Sequence, residues 1–227
     1  MQKTCLPQEA VGAAYDREAM LGVRRRTLDA VRGIAANIRP GMQEEDAVEM
    51  ARDTLADAGM LRGWHDVYVR FGPNTLKTFG APSDPGVALG EDDIFFIDIG
   101  PVWQQWEGDG GDTFVTGTDP ERARCAADAR AIFHEVRSHW LRQGASGQAL
   151  YRYAEDCARR RGWELNLDLS GHRLADFPHA ALHNGALADF DHAPSESLWV
   201  LEIHIRHPSK PYGAFFEDML LDDSHFE

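Results

Sequence analysis

The chain has 227 residues, of which 43% are hydrophobic and 26% are charged, and its formal net charge at pH 7 is −14. The composition is that of an ordinary globular protein, and the length predicts one domain, residues 1–227. So large a negative charge would repel phosphate backbones and argues against a nucleic acid partner. There is neither a membrane-length apolar run nor a secretory signal pattern, so we expect no membrane partner and a cytoplasmic location.

Four amphipathic helices are predicted from the spacing of apolar residues. The helical pattern covers residues 17–37, 42–58, 121–143 and 148–161. Asp119, followed by Pro120, is typical of a helix entry. The long helical stretches alternate with strand signals rather than with linkers, which agrees with a single domain.

The region between the second and third helices is predicted to be mostly irregular. A short strand signal at Val67 to Val69 precedes the turn-forming Gly72-Pro73-Asn74. Residues 80–90 are rich in Gly, Pro, Ser and Asp and are predicted to form a loop. Cys5, Cys125 and Cys157 are far apart and have no CxxC spacing, so unpaired thiols are expected.

A hairpin at the centre of the chain contains two acidic residues at buried positions. Residues 95–100 and 107–116 are its predicted strands, and a turn centred at 103–104 would set Asp98 opposite Asp109. Buried like charges repel each other and lose their hydration, so the pair is costly without a cation between them. A divalent metal is the ordinary remedy, and the hairpin therefore predicts a metal site.

A second hairpin near the C-terminus repeats this arrangement. Residues 198–206 and 215–221 flank a turn-forming HPSKPYG stretch, and their pairing sets Glu202 opposite Glu217. Strand alternation places His204 on the same face as Glu202, so it is expected to project beside the same acids.

Histidines in the segment between the hairpins extend the candidate site. His172 follows a Ser-Gly turn, and His179 lies seven residues later. A lone histidine in such a segment is usually structural, but two of them in a chain with two acid hairpins are interpreted as site residues.

These motifs resemble the pita-bread metallopeptidase family of methionine aminopeptidase, aminopeptidase P, prolidase and creatinase. In that family the "IDxG…GD" block, the "GH" turn with a second histidine seven residues on, and two glutamate strands hold two metals. The matching stretches here are FIDIG, EGDGGDTF, GH, VLEI and GAFFED. The resemblance assigns five metal ligands: Asp98, Asp109, His172, Glu202 and Glu217.

The resemblance also implies a fold, a cofactor and roles for residues. The fold would be α+β, with antiparallel sheets and flanking helices around a central dinuclear site. Two divalent ions, manganese, iron, cobalt or zinc, would be bridged by Asp109 and Glu217. Glu202 would shuttle a proton, and His179 would contact the substrate or the tetrahedral intermediate. A homodimer is plausible from the family, and the extra N-terminal domain of aminopeptidase P, prolidase and creatinase has no counterpart in the sequence.

Departures from the family pattern keep three functions open. Phe79 stands where the peptidases have a substrate-contacting histidine, His204 follows closely after Glu202 where a proline is common, and Ala180 replaces an acid. Phe79 and His204, with His179, are therefore the candidate substrate-binding residues. The protein is predicted to cleave an amide or peptide bond, as aminopeptidases and Xaa-Pro peptidases do. The alternatives are a metalloenzyme acting on a small metabolite, by creatinase-like C–N cleavage or iron-dependent oxidation, and an inactive binding relative.

Overall fold

The computed structural model describes residues 6–226, and its helices form two pairs. The bounds are α1 (Arg17–Ala35), α2 (Glu44–Asp57), α3 (Pro120–Gln143) and α4 (Gly147–Arg160). Each lies within two residues of its predicted position. Asp16 and Asp119 fix two of the N-termini, because their side chains accept backbone N–H groups of the first helical turn.

Within residues 6–226, ten strands form one large sheet and one small sheet. The strands are β1 (Arg62–Gly63), β2 (Tyr68–Phe71), β3 (Ile94–Ile99), β4 (Pro101–Trp103), β5 (Trp106–Glu107), β6 (Gly110–Val115), β7 (Glu164–Leu165), β8 (His172–Arg173), β9 (Trp199–Arg206) and β10 (Gly213–Met219). The large sheet has the order β2-β3-β6-β10-β9-β7, with β8 also paired to β9, and the small sheet has the order β1-β4-β5. The pairings within both sheets are antiparallel.

The helix pairs cover different halves of the large sheet. Helix α1 packs on β3 and β6 and α2 on β2, whereas α3 packs on β9 and β10 and contacts α4. Ile97 and Ile99 belong to the apolar core under α1 and α2, and Leu201 and Ile203 to the core under α3 and α4. Because side chains alternate across a strand, the residues between them point away from these cores.

The C-terminal hairpin has the predicted register. Strands β9 and β10 pair with Glu202 opposite Glu217 and His204 opposite Phe215. Both glutamates are more than 90% buried. The prediction that two acids face each other across neighbouring strands is confirmed for this pair.

The register predicted for the central hairpin is wrong by two residues. Asp98 lies opposite Gly111 rather than Asp109. The turn is a tight one between Trp103 and Trp106, with Gln104 at φ 59°, a conformation typical of two-residue hairpin turns. A slip of two residues keeps every side chain on its face, whereas a slip of one would have turned the acids into the helix-covered core.

Two further sequence predictions can be compared with the described residues. Cys125 and Cys157 are buried, unpaired thiols, as expected, while Cys5 lies outside the described residues. None of the helices within residues 6–226 combines the length and the apolar character that a membrane crossing requires.

Candidate metal centre

A cavity of about 340 Å³ opens on the face of the large sheet that the helices leave free. It collects almost all of the residues singled out in the sequence. Those lining it are Phe79, Asp98, Asp109, His172, His179, Glu202 and Glu217. The fold therefore brings the predicted site residues together, with the exception of His204.

Three of the acids lie in one row across the sheet. Asp98 on β3 pairs with Gly111 on β6, Gly111 with Glu217 on β10, and Glu217 with Glu202 on β9. A side chain at Gly111 would collide with its neighbours, since a Cβ there would lie 2.4 Å from the Phe215 ring and 3.0 Å from Glu217 Oε1. Glycine is therefore required at this position, because the Phe215 ring and the Glu217 carboxylate occupy the space that a side chain would need.

Asp109 approaches this row of acids from the break between β5 and β6. It is shared by two sets of three donor atoms, each with its atoms within 4.8 Å of one another. One set consists of His65, Asp98 and Asp109, and the other of Asp109, His172 and Glu217. A carboxylate common to two sets is the arrangement by which one residue can bind two cations.

His65 and His172 each present an unprotonated nitrogen to the acids when their rings are neutral. Nδ1 of His65 lies 2.6 Å from the Asp66 carbonyl oxygen, and Nδ1 of His172 lies 2.7 Å from that of Arg173. A carbonyl only accepts hydrogen bonds, so Nδ1 carries the proton and Nε2 keeps its lone pair. This tautomer, fixed by a backbone carbonyl, is common among metal-binding histidines.

The electrostatics of the cluster are those of crowded, buried acids. Burial raises the pKa of Asp98 to about 7, helped by the charges of Asp109 and Glu202. Burial also raises the pKa of Glu202, and it raises that of Glu217 strongly, with repulsion from Asp109 adding to both. Three acids thus hold protons more firmly than usual, because burial and mutual repulsion outweigh the nearby histidines.

The pKa values of Asp109 and of the two histidines shift in the direction that favours ion pairs between them. Burial works against the charge of Asp109, but the two nearby histidines outweigh it and lower its pKa to about 2. Burial likewise opposes the charged forms of both histidines, yet Asp98 and Asp109 raise the pKa of His65 to about 9, and Asp109 and Glu202 raise that of His172 to about 9.

The donor set fits divalent cations. Asp109 Oδ2 and Glu217 Oε1 are buried without a hydrogen-bond partner. His172 Nε2 lies 2.9 Å from Asp109 Oδ2, and this contact is an ion pair when the ring is protonated. Buried carboxylate oxygens without hydrogen-bond partners destabilise a protein interior. Beside two imidazole nitrogens they form a donor set to which a metal cation would supply the missing positive charge.

His179 is held at the cavity wall by a residue that sequence reasoning missed. Its Nδ1 lies 2.6 Å from Glu107 Oε2, and its backbone N–H donates to Glu107 Oε1 at 2.9 Å. Glu107 is 1% exposed. The only sequence signal for Glu107 was its position two residues before Asp109, on a strand whose alternation places both on one face.

His65 is the second residue that sequence reasoning missed. Its Nε2 lies 3.4 Å from Asp98 Oδ1 and 3.3 Å from Asp109 Oδ1. Trp64 contacts the rings of His65, His172 and His179, with ring centroids 4.4, 4.9 and 5.0 Å away. No local motif marks His65, because it reaches the acids through the pairing of β1 with the distant β4.

The two candidate substrate-binding residues that depart from the family differ in their positions. Phe79 is 52% exposed at the rim of the cavity, with its ring edge against His65 and Tyr68. His204 is completely buried away from the cavity lining, with Nε2 2.7 Å from the Thr75 carbonyl oxygen and Nδ1 2.9 Å from Asn166 Nδ2. Burial lowers its pKa to about 4, which is the environment of a neutral, structural histidine.

The acid three residues after Asp109 in the sequence is used elsewhere. Asp112 forms an ion pair with Arg130 at 2.7 Å, and it does not line the cavity. The structure therefore separates Asp109, which faces the donor clusters, from Asp112, which anchors β6 to α3.

Comparisons with known proteins agree with this arrangement. A family model described as metallopeptidase family M24 matches residues 18–221. No curated protein matches the chain in sequence.

Several solved structures share the fold at low sequence identity. Prolidase from Pyrococcus horikoshii OT3 has a TM-score of 0.70 at 18% identity over 89% of this chain and 57% of its own. X-Pro aminopeptidase from Thermotoga maritima MSB8 gives 0.70 at 19% identity over 90% and 60%. Xaa-Pro dipeptidase from Bacillus anthracis gives 0.71 at 15% identity over 96% and 60%. The chain thus spans 57 to 60% of the length of these three proteins.

Proposed function

This chain belongs to metallopeptidase family M24, and we propose on that basis that it is a metal-dependent hydrolase that cleaves an amide or peptide bond. Its pita-bread fold is the one predicted from the sequence motifs. The observation that carries the proposal is the buried cavity in which two donor clusters share Asp109. A homodimer, a cytoplasmic location and a single domain remain predictions from the sequence.

The five residues Asp98, Asp109, His172, Glu202 and Glu217 would hold two divalent cations. When bound there, the cations supply Lewis-acid chemistry, which polarises a substrate carbonyl and makes a water molecule acidic. Carboxylate oxygens with imidazole nitrogen suit manganese, iron, cobalt or zinc.

Glu202 is positioned to hold and release a proton. Its Oε2 accepts the Gly171 N–H at 2.5 Å, which fixes the carboxyl group at the cavity wall. A carboxyl group held at this position can carry a proton toward a leaving nitrogen. Tyr151 steadies the same strand, since its hydroxyl donates to the Glu202 carbonyl oxygen at 3.0 Å.

His179 is positioned to contact the substrate. When its ring is doubly protonated, one N–H donates to the Glu107 carboxylate and the other is available to a substrate oxygen in the cavity. Glu107 binds both the ring and the backbone of His179, so the ring is fixed before the substrate arrives. Such preorganised donors contribute to catalysis because they need no reorganisation during the reaction.

Metal content and turnover of the same samples test the proposal. We expect close to two metals per chain in the purified protein, fewer in Asp109→Asn, and no change in the matched control Asp112→Asn, whose carboxylate pairs with Arg130 outside the cavity. Hydrolysis of a panel of dipeptides and Xaa-Pro substrates should accompany metal loading. Metal-free protein whose stability is indifferent to manganese and zinc would refute the hydrolase and leave a binding role.

The position of Phe79 favours a second candidate, a non-peptidase reaction on a small metabolite. An apolar ring at the cavity rim cannot donate a hydrogen bond to a peptide, whereas it can cover a small ligand. Fully metallated protein that turns over no peptide on the panel would support this candidate over the peptidase.

A further inference from the structure

We propose that His65 is a metal ligand, and that its Nε2 completes with Asp98 and Asp109 the donor set for one of the two cations. The inference rests on the proposed metal centre and adds a residue to the five ligands assigned by sequence motifs. With His65 included, each of the two donor sets contains one imidazole: His65 in the first and His172 in the second.

The spacing of the donor atoms matches a single coordination sphere. His65 Nε2 lies 3.4 Å from Asp98 Oδ1 and 3.3 Å from Asp109 Oδ1. Two ligands that each bind zinc at about 2.0 to 2.1 Å in tetrahedral geometry are separated by about 3.3 Å. A good neutral hydrogen bond would instead bring nitrogen and oxygen to about 2.9 Å, and a charged one closer still. Both nitrogen–oxygen distances, with all three donor atoms within 4.8 Å of one another, therefore suit a common cation.

The ring of His65 is seated so that only Nε2 faces the acids. Its side chain is 4% exposed, and Nδ1 is occupied by the Asp66 carbonyl oxygen at 2.6 Å. The ring passes directly over Gly100, where an added Cβ would lie 2.4 Å from Nε2. Backbone pairing holds the preceding residue, since the Trp64 N–H donates to the Gly100 carbonyl oxygen at 2.9 Å.

The indole of Trp64 strengthens this seat from the other side. Its Nε1 donates to the Gly108 carbonyl oxygen at 2.9 Å, next to Asp109. The edge of Trp64 packs on the His65 ring with centroids 4.4 Å apart. The hydrogen bonds of Trp64 to the carbonyl oxygens of Gly100 and Gly108 thus help to orient the neighbouring His65 ring. Such outer contacts commonly orient metal-binding histidines.

A second imidazole changes which metals the centre prefers. Carboxylate-only ligation suits manganese and magnesium, whereas each added imidazole favours iron, cobalt, nickel and zinc. We therefore expect the site formed by His65, Asp98 and Asp109 to bind cobalt and zinc more tightly than manganese.

The decisive measurement is proton NMR of the cobalt(II)-loaded protein. Each imidazole that binds cobalt through Nε2 keeps one exchangeable proton on Nδ1, which gives a strongly shifted signal that is lost in D₂O. We expect two such signals in the wild-type protein and one in His65→Gln. The matched control His192→Gln changes a 53% exposed histidine outside the cavity and should retain both signals.

Metal titration of the same three proteins provides the second readout. We expect zinc affinity for one of the two sites to fall at least about tenfold in His65→Gln and to be unchanged in His192→Gln. Wild-type protein that binds two cobalt ions but shows one exchangeable signal would overturn the assignment of His65 and leave the hydrolase proposal intact. Wild-type protein that binds no cobalt would overturn both. If His65→Gln does not fold, the number of signals in the wild-type protein decides the question alone.

Discussion

Removing the metals should make the stability of this protein depend strongly on pH. The groups responsible are Asp98, whose pKa burial raises to about 7, and His65 and His172, whose pKa values the neighbouring carboxylates raise to about 9. In the metal-free protein these groups carry protons at neutral pH that an unfolded chain would already have released. Bound metals would displace those protons.

The sign of the effect follows from the direction of each shift. A histidine with a raised pKa stabilises the fold fully below its unfolded value near 6.5, and this contribution is lost as pH rises through about 9. Asp98 acts in the same direction, since its folded form keeps a proton that the unfolded chain loses above about 4. Asp109, with a pKa lowered to about 2, stays ionised throughout and contributes no slope above pH 6.

The magnitude between pH 7 and 8 is set by the two histidines. Each retained proton lowers the free energy of unfolding of the metal-free protein by about 1.4 kcal/mol per pH unit. Two retained protons lower it by about 2.7 kcal/mol. For a domain of 150 to 250 residues, 1 kcal/mol corresponds to about 2 to 4 °C in melting temperature. The difference in melting temperature between metal-loaded and metal-free protein should therefore widen by roughly 5 to 10 °C from pH 7 to pH 8.

Thermal denaturation in excess manganese and in EDTA at pH 7 and pH 8 measures this gap directly. Asp109→Asn, which lacks the carboxylate shared by both donor clusters, should show a small gap at both pH values. A wild-type gap that is the same at pH 7 and pH 8 would refute the reasoning, because it would mean that metal binding displaces no protons from these histidines.

Three further predictions concern residues around the centre. Glu107→Gln should keep the metal content but lower kcat by up to about a hundredfold, because the ring of His179 loses its anionic partner; unchanged kcat would contradict this. Arg24→Ala should cost about 3 to 5 kcal/mol in urea denaturation, since it leaves the buried Asp218 carboxylate, now 2.6 Å from the guanidinium, unpaired; removing both partners should cost less than the sum of the single changes. His204→Phe should lower stability by about 1 to 3 kcal/mol while metal content and KM stay the same, whereas a large rise in KM would restore its predicted contact with substrate.

The parts of the site that follow from strand alternation could be predicted from the sequence. Glu202 and Glu217 lie opposite each other because the β9–β10 turn fixes their register, and that turn is local in sequence. The face on which Asp98 lies was also predictable, since a change of register by two residues does not alter it. The partner of Asp98 was not predictable, because it depends on the tight turn at Gln104 and on the strand break that follows it.

The residues that sequence analysis missed are those that depend on contacts between distant segments. His65 reaches the acids only because β1 pairs with β4, and Glu107 holds His179 across 72 positions of sequence. Neither contact leaves a periodic signal in the chain. His204 lies apart from the cavity lining for the opposite reason: alternation placed it on the correct face, but Thr75 and Asn166 enclose the part of that face where it lies.

The change of register in the central hairpin gives the sheet a physical means of tolerating its acids. Had Asp109 stood opposite Asp98, two carboxylates would have occupied directly paired positions on strands only about 4.8 Å apart. Gly111 takes the position opposite Asp98 instead, so no charged side chain stands between Asp98 and Glu217 in their row across the sheet. Asp109 reaches the row from the break before β6. There its carboxylate can take part in both donor clusters. The glycine thus keeps a fourth carboxylate out of the row, and cations bound by Asp109 and the row would relieve the repulsion that remains.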